Sequence, residues 1–450
     1  MELLAEIPLI GNVLTVVIPF LIVLSVVVFV HEYGHYIVGR WCGIGAEVFS
    51  IGFGKRLFSW VDSRGTRWQV AALPLGGYVK FVGDLDPASA GRGDDSGLTD
   101  FERQAAFHNA ALWKRTLTVA AGPVFNFLLS ILIFAALVLA IGKPTDQPVI
   151  AEISEDAPEN IGFQEGDRVV MVDGKPTESF GDVLDHLRRS DAALVPAVVE
   201  REGRRIEIMA AHVNPPRIGS VSPGMAAARA GLVPGDLITE IDGKAVHSFY
   251  DLQMATTRIE PGEEITVEVR RGGEELQFTF TPEIVERAHP ETGETVPLPT
   301  FGIRAASAGG IGPPREGVGP GEALMGGALQ TWQIISGTVT FVGDMIFANA
   351  DTSQLGGPIR IAEISGDKAE EGVESLIWLI ATLSTSIGLI NLFPIPVLDG
   401  GHLMFYAVEA VRGRPLGENW LQVGNAIGLA LVLSLMVFAT YNDLARYWTG

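Results

Sequence analysis

Four long stretches without a charged residue constrain this chain more than any other feature of its sequence. They are residues 7–30, 116–142, 375–398 and 419–442, each 24 to 27 residues long. A helix that crosses a membrane needs about 20 predominantly apolar residues, so each stretch is long enough. The first starts after Glu2 and Glu6 and has a long apolar core, which argues against a cleavable signal peptide. The sequence predicts four spanning helices, over 1–40, 116–142, 375–402 and 419–442.

Charge is distributed unevenly between the segments that connect these helices. The formal net charge is −21, and residues 142–374 carry −19 of it. Residues 40–115 hold 10 basic and 8 acidic residues, and Arg412 and Arg414 follow the third stretch. Because positive residues concentrate on the cytoplasmic side of membrane proteins, we expect 40–115 inside and the acidic region outside. A chain with this net negative charge and no cluster of basic residues is not expected to bind nucleic acid.

The acidic region contains an internal repeat. Residues 166–175 (GDRVVMVDGK) recur 69 residues later as 235–244 (GDLITEIDGK), and eight of 19 aligned positions are identical. Each copy has the pattern of a short strand, an Asp-Gly turn, a short helix and further strands. The copies resemble PDZ domains, over 148–213 and 214–284, which bind extended peptides at a sheet edge or here serve as spacers with closed grooves. Residues 285–374 are expected to hold a linker, at 309–321, and an amphipathic helix.

His31, Glu32 and His35 form a His-Glu-x-x-His motif at the inner end of the first predicted span. Residues i and i+4 of a helix share a face, so both imidazoles can reach one zinc ion, with Glu32 beside them as general base. Two unrelated histidines at a helix end are the alternative. Ionisable groups at the end of an apolar span are costly and usually functional, which favours the zinc site.

A catalytic zinc ion takes three protein ligands and keeps one position open. The third ligand should lie on another span at the same depth. Asp399 comes directly after the third uncharged stretch and is the natural candidate, while His402, three residues later, is a rival. The residues by themselves leave both possible.

Together these motifs resemble the site-2 protease family of intramembrane zinc metalloproteases. The resemblance rests on His-Glu-x-x-His in the first span and on Asn-x-x-Pro-x-Pro-x-Leu-Asp-Gly, at 391–400, in a later one. The two PDZ-like repeats between the second and third spans make the chain similar to RseP-type proteases of Gram-negative bacteria. The resemblance implies that His31, His35 and Asp399 bind zinc and that Glu32 is catalytic. It also implies a place in the bacterial inner membrane with periplasmic PDZ domains.

Glycine-rich segments within 41–115 are similar to the family's membrane-associated β-hairpin, which receives the substrate. They include Gly52 and Gly54 in one segment and Gly76 and Gly77 in the other. A transmembrane helix hides its peptide bonds, so a sheet edge beside the zinc would offer hydrogen bonds to an unwound segment. An ordinary cytoplasmic hairpin is the alternative.

Two residues of the later motif are candidates for substrate binding. Asn391 lies two helical turns before Asp399 and is expected to bond the substrate backbone or the developing oxyanion, or else another helix. Pro394, with Pro396, removes helical donors and is expected to break the helix before Asp399. In the second span, residues 121–127 (AGPVFNF) also match a family motif, which close helix packing explains equally well.

Residues 323–343 form a fifth uncharged stretch, whose large apolar residues recur at three- and four-residue spacing. This spacing predicts an amphipathic helix on a membrane surface or against a domain. The residues are Leu329, Trp332, Ile335, Val339 and Val342. A fifth span would reverse the helix that carries Asp399 and move this residue roughly 30 Å from His31. One shared zinc ion therefore excludes it.

The predicted fold is a polytopic α-helical membrane protein with four spans, two periplasmic α+β PDZ-like domains and a membrane-associated β-hairpin. The predicted function is zinc-dependent hydrolysis of peptide bonds within the bilayer. By the resemblance, the substrates are single-span membrane proteins already shortened on the outer side, such as anti-sigma factors, or remnant signal peptides. Two other functions remain open: a metal transporter, for which these spans are too apolar, and a PDZ adaptor, which needs no metal site.

Overall fold

The structure is a computed structural model, and it describes residues 13–84, 99–154, 161–190, 192–222, 224–288, 295–306, 310–347 and 356–448. A π-helix, Val13–Val17, precedes the first α-helix, and a 3-10 helix covers Phe107–Asn109. The α-helices are α1 (Ile18–Trp41), α2 (Asp100–Ala105), α3 (Leu112–Ile141), α4 (Phe180–Arg189), α5 (Ala226–Ala230), α6 (Phe249–Thr256), α7 (Pro320–Phe347), α8 (Pro358–Glu371), α9 (Val373–Asn391), α10 (Asp399–Arg412) and α11 (Glu418–Trp448).

The strands fall into two groups by length. Two long ones come first, and the others have two to seven residues. They are β1 (Ala46–Val61), β2 (Arg67–Phe81), β3 (Lys143–Pro144), β4 (Glu152–Ile153), β5 (Arg168–Val172), β6 (Lys175–Pro176), β7 (Val195–Arg201), β8 (Arg204–Ala210), β9 (Ile218–Val221), β10 (Leu237–Ile241), β11 (Lys244–Ala245), β12 (Ile265–Arg271), β13 (Glu274–Phe280), β14 (Glu283–Ala288), β15 (Thr295–Thr300), β16 (Ile303–Ala305), β17 (Ile311–Gly312) and β18 (Arg315–Glu316).

Contacts divide the chain into two units. The described residues up to 141 and those of 318–443 form the membrane unit, and those of 142–317, which with 444–448 make up the second unit, form the repeat unit. Four helices of the described chain are long and apolar enough to cross a membrane: Thr15–Trp41, Leu112–Ile141, Val373–Asn391 and Asn419–Leu444. They overlap the four uncharged stretches, so the structure contains the four candidate spanning helices that the sequence predicts. The residues of the first predicted span before 13 lie outside the described part.

The third spanning helix is shorter than predicted. It was expected to run to 402, but α9 ends at Asn391 and a separate helix, α10, begins at Asp399. Pro394 and Pro396 lie in the connecting loop, where their missing N–H groups cannot continue a helix. Val397 in this loop has a φ of 90°, which a β-branched residue rarely adopts.

Helices α1, α3 and α9 pack closely because small residues line their contacts. A Cβ atom on Gly34 of α1 would lie 2.6 Å from the Ala121 carbonyl oxygen of α3. Ser130 of α3 hydrogen-bonds to Thr385 of α9 over 2.6 Å, and it also donates to the Ala381 carbonyl. Close backbone approach and interhelical hydrogen bonds are what hold helices together in lipid.

Helix α7 packs differently from what its sequence pattern suggested. Its small residues Ala323, Gly327 and Thr331 are buried, and a Cβ on Gly327 would collide with the backbone of α3 near Ala135. The large apolar side chains of the predicted face include Leu329, Trp332 and Val339, which are all half exposed or more. This helix therefore contacts α3 through its small face and leaves its large apolar face uncovered among the described residues.

Strands β1 and β2 fold back on themselves. Residues 48–51 of β1 pair with 77–80 of β2 on one side and with 67–70 on the other. Gly52, Gly54 and Gly76 have φ values of 88°, 85° and 156°, a region that favours glycine, where the two strands bend. The result is a small sheet in which 77–80 form the outermost segment next to α1.

In the repeat unit, the two copies form sheets of the same topology. The first has strand order β6-β5-β7-β8 and the second β11-β10-β12-β13. Each buries a separate apolar core beneath one helix, α4 or α6. In each sheet a buried aspartate binds an arginine in a bidentate ion pair: Asp167 with Arg201, and Asp236 with Arg271.

The segment after residue 284 is not the linker that the sequence suggested. β16 pairs with β9 of the second copy, and Phe301 belongs to its core. β17 then pairs with β4 of the first copy, and β18 pairs with β3. The proposed boundaries 148–213 and 214–284 are therefore too short at their carboxyl ends. The second copy is inserted into the first, since strands on both sides of it complete the first copy.

Candidate metal centre

The His-Glu-x-x-His motif lies inside α1, at the level where this helix is covered by α3. His31 and His35 are buried, and their Nε2 atoms lie 3.2 Å apart because the i, i+4 spacing puts both rings on one face. Gly34 allows α3 to approach the helix between them. The first two predicted ligands thus share one side of a spanning helix.

Asp399, the first residue of α10, lies next to this pair. Its Oδ2 atom lies 3.1 Å from Nε2 of His31 and 3.4 Å from Nε2 of His35. These three side chains form a group that could hold a metal ion. His402, the rival third ligand, lines the same cavity but does not belong to this group.

The three atoms fit a zinc ion in both distance and chemistry. Tetrahedral zinc with ligands at about 2.0–2.1 Å places neighbouring ligand atoms about 3.3 Å apart. The three observed separations are 3.1, 3.2 and 3.4 Å. Oδ2 of Asp399 is buried without a hydrogen-bond partner among the described residues. Such a cluster of electron-pair donors calls for a cation at its centre.

The other ring nitrogens of the two histidines also have neighbours. Nδ1 of His35 lies 2.9 Å from the Thr118 carbonyl oxygen, so it must carry the proton and leave Nε2 free for a metal ion. Nδ1 of His31 lies 3.2 Å from the Asn126 side-chain amide. Both contacts come from α3, which therefore orients both rings.

Gly122 of α3 leaves room for the candidate metal ligands His31 and His35. A Cβ atom here would overlap Nε2 of His35 and come within 2.9 Å of Cε1 of His31. Any larger residue would push into the group of ligand atoms. The glycine in the 121–127 motif thus serves the site as well as helix packing.

Glu32 faces the outermost segment of the small sheet. A Cβ on Gly77 would lie 3.1 Å from Cγ of Glu32. Gly77, Tyr78 and Val79 line one cavity together with the residues of the metal centre. The carboxylate is therefore held beside the ligands and beside a strand edge.

The remaining predicted site residues are distributed along this region. Asn391 and Gly77 line the cavity. Gly52, Gly54 and Gly76 lie at the bends of β1 and β2, and Pro394 lies in the loop before Asp399. None of these four is among the residues that line the cavity, within the described chain. Their roles in substrate binding stay predictions.

Asp62 connects the small sheet to α1 through hydrogen bonds. Its carboxylate accepts hydrogen bonds from Tyr36 of α1 and from Trp68 of β2, both at 3.0 Å, and from the backbone N–H groups of Arg64 and Thr66. Burial raises the pKa of Asp62, but these donors outweigh it and hold the pKa below its usual value. These hydrogen bonds join the turn between β1 and β2 to α1.

Sequence reasoning missed a second group of residues, on α10 and the start of α3. Arg115 forms a bidentate ion pair with Glu409, at 2.6 and 3.3 Å, and lies over the ring of Tyr406. Tyr406 lines the cavity together with His402. The only signal in the sequence is that 399, 402 and 406 share a helical face. The pairing of Arg115 with Glu409 spans 294 positions and has no local signature.

The fold and this site define a membrane-embedded zinc peptidase. A family model described as peptidase family M50 matches residues 19–435. A protein of Agrobacterium fabrum named as a zinc metalloprotease is 40% identical over 95% of both chains. Metalloprotease MmpA of Caulobacter vibrioides is 34% identical over 96% of both, and the regulator of sigma-E protease RseP of Escherichia coli is 33% identical over 95% of this chain and 98% of its own.

The chain belongs to peptidase family M50, the site-2 proteases, and is a multi-pass, zinc-dependent metalloprotease. This decides against the metal transporter and the adaptor that the sequence left open. Among solved structures, the PDZ domain of an SdrC-like protein from Listeria monocytogenes is 26% identical, with a TM-score of 0.16, over 20% of this chain and 84% of that one.

Proposed function

We propose that this metalloprotease hydrolyses peptide bonds inside the bilayer, with zinc held by His31, His35 and Asp399 and with Glu32 as general base. One observation carries the proposal. Two ligands lie within a spanning helix, and the third begins α10 after the loop that follows the spanning helix α9, with the three ligand atoms 3.1–3.4 Å apart.

The chain's own residues account for the proton transfers. Bound zinc would supply Lewis acidity to the reacting water and carbonyl. Glu32 takes a proton from the water molecule while the water oxygen attacks the carbonyl carbon. Glu32 then delivers this proton to the amide nitrogen as the C–N bond breaks. Asn391, which lines the cavity, would donate a hydrogen bond to the developing oxyanion.

The edge of the small sheet is the proposed place for the substrate backbone. Residues 77–80 pair with β1 on one side only, within the described residues, and 77–79 line the cavity beside Glu32. An extended segment added to this edge would gain backbone hydrogen bonds that replace those of its own helix. Gly52, Gly54, Gly76 and Pro394 would shape the sheet and the loop around it.

The proposed substrates are single-span membrane proteins. The name of the Escherichia coli relative links that protein to the regulation of sigma-E. An anti-sigma factor shortened on its outer side, or a remnant signal peptide, would present the kind of unwound spanning segment that this site fits. We place the enzyme in the bacterial inner membrane, with the two repeats as periplasmic PDZ domains.

Cleavage of such a substrate by the purified protein tests the proposal. Glu32→Gln should abolish cleavage and retain stoichiometric zinc, because Glu32 is a base and not a ligand. Gel analysis of the products and metal analysis of the same samples give both results. A variant with bound zinc and undiminished cleavage would remove Glu32 from the mechanism.

A further inference from the structure

A mismatch between donors and acceptors beside His31 points to a further residue of the metal centre. Nδ2 of Asn126 lies 3.2 Å from Nδ1 of His31. Oδ1 of the same amide is buried and has no hydrogen-bond partner among the described residues. A buried amide oxygen without a partner costs about 1–3 kcal/mol, so this orientation needs an explanation.

The protonation state required for metal binding resolves the mismatch. Nε2 of His31 faces Asp399 and His35, so it must offer an electron pair to a metal ion. The proton of the neutral imidazole then sits on Nδ1, which becomes a donor. A donor at Nδ1 needs an acceptor opposite it, and an amide N–H₂ group cannot accept.

We propose that Asn126 is a positioning residue for the zinc ligand His31, with its Oδ1 atom accepting a hydrogen bond from Nδ1–H of His31 in the metal-bound protein. The oxygen and nitrogen of an asparagine amide differ only by a half-turn of the side chain. That turn gives the buried oxygen its partner and fixes the imidazole with Nε2 toward the metal. The Thr118 carbonyl plays the same part for His35.

The position of Asn126 is itself fixed by a third helix. Ser384 of α9 donates a hydrogen bond to the Asn126 carbonyl at 2.9 Å. A Cβ on Gly388 would lie 3.1 Å from Cβ of Asn126, so α9 presses against this residue. Asn126 is fully buried. A change in the contact between α9 and α3 would therefore shift Asn126 and, through its side chain, the imidazole of His31.

Zinc affinity of three variants tests the proposal. Asn126→Leu keeps the branching and the number of side-chain heavy atoms but removes the acceptor, and we expect the zinc dissociation constant to rise about 10–100-fold. Asn126→Asp keeps an acceptor oxygen and should bind zinc within a few-fold of the wild type. Ser130→Ala is the matched control, because it removes buried hydrogen bonds between the same two helices without touching a histidine.

Competition with a chelator of known affinity measures the dissociation constant, and thermal unfolding of the zinc-free proteins reports their folding. Wild-type zinc affinity in a folded Asn126→Leu variant would overturn the proposal. Equal losses in Asn126→Asp and Asn126→Leu would also overturn it, because the acceptor would then have no special role. If the leucine variant does not fold, Asn126→Ala takes its place in the comparison with Asn126→Asp.

Discussion

At the scale of single residues, the metal centre depends on the missing side chain of a glycine as much as on the side chains of the candidate ligands. Gly122 is the clearest case, since a methyl group at this position would occupy the space of the ligand atoms. The His-Glu-x-x-His motif could be read from the sequence because its spacing matches one helical turn. The steric role of Gly122 could not, because it depends on how α3 meets α1.

Gly122→Ala should therefore lower zinc occupancy without unfolding the protein. Alanine favours a helix over glycine by about 1 kcal/mol, so the helix itself is not weakened. We expect the zinc dissociation constant to rise at least about 10-fold, as for changes next to metal ligands. Gly337→Ala in α7 is the control, since a Cβ there meets no atom within 4 Å. Full zinc in the Gly122 variant, measured by metal analysis after dialysis, would refute the steric argument.

The third ligand can be assigned by comparing two variants. Asp399→Asn should weaken zinc binding by more than about 100-fold, because even changes to supporting residues cost about 10–100-fold. His402→Ala should leave zinc binding nearly unchanged, because His402 lies outside the group of ligand atoms. Zinc titration of both variants gives the order, and the reverse order would make His402 the ligand.

At the scale of secondary-structure elements, the length of each element determined whether it could be predicted from the sequence. The four spans were readable because each is a long uncharged run, and the repeat was readable because it holds eight identities. β16, β17 and β18 have two or three residues each, too few for any periodic pattern. Their partners lie 82 to 173 positions earlier in the chain, so only the tertiary fold reveals that they belong to sheets.

The ion pair in each repeat sheet gives a prediction about pH. Burial raises the pKa of Asp236, but hydrogen bonds from Arg271 and from the Val233 backbone outweigh it, so that the pKa lies below its usual value. A carboxylate with a lowered pKa stabilises the folded state above its unfolded pKa of about 3.9. This stabilisation is lost as the pH falls through the folded pKa.

Asp236→Asn should therefore remove much of the acid sensitivity of the second sheet and lower its stability near neutral pH by about 1.5–3 kcal/mol. Hydrogen exchange of the β10 amides in the whole protein, between pH 6 and pH 3 and corrected for the intrinsic rate, measures both effects. The β5 amides serve as an internal reference, because the first sheet keeps its own pair, Asp167 with Arg201. Unchanged β10 protection at pH 6 would show that the pair contributes little.

At the scale of the whole molecule, the repeat unit is an insertion whose two ends meet. Lys143 pairs with Glu316, and Pro144 pairs with Arg315. Paired residues in an antiparallel ladder lie about 4.5–5.5 Å apart, so the first and last residues of the repeat unit are neighbours in space. Removing residues 148–284 would delete β4 and β9 and so leave β17 and β16 without their partner strands. A deletion must instead follow the structural boundary.

Replacing residues 145–314 by an Asn-Gly turn would convert β3 and β18 into a hairpin and leave the membrane unit intact. The excised residues hold none of the metal ligands, so we expect cleavage of pre-shortened single-span substrates to continue within about a few-fold of the intact enzyme. Substrates with a large outer domain, which the intact enzyme should cleave poorly, should become cleavable if the repeat unit acts as a size filter. Matched long and short substrates, compared on gels for both enzymes after zinc content has shown that each is folded, measure this difference. Loss of short-substrate cleavage in a zinc-loaded deletion would mean that the repeats dock the substrate instead of excluding it.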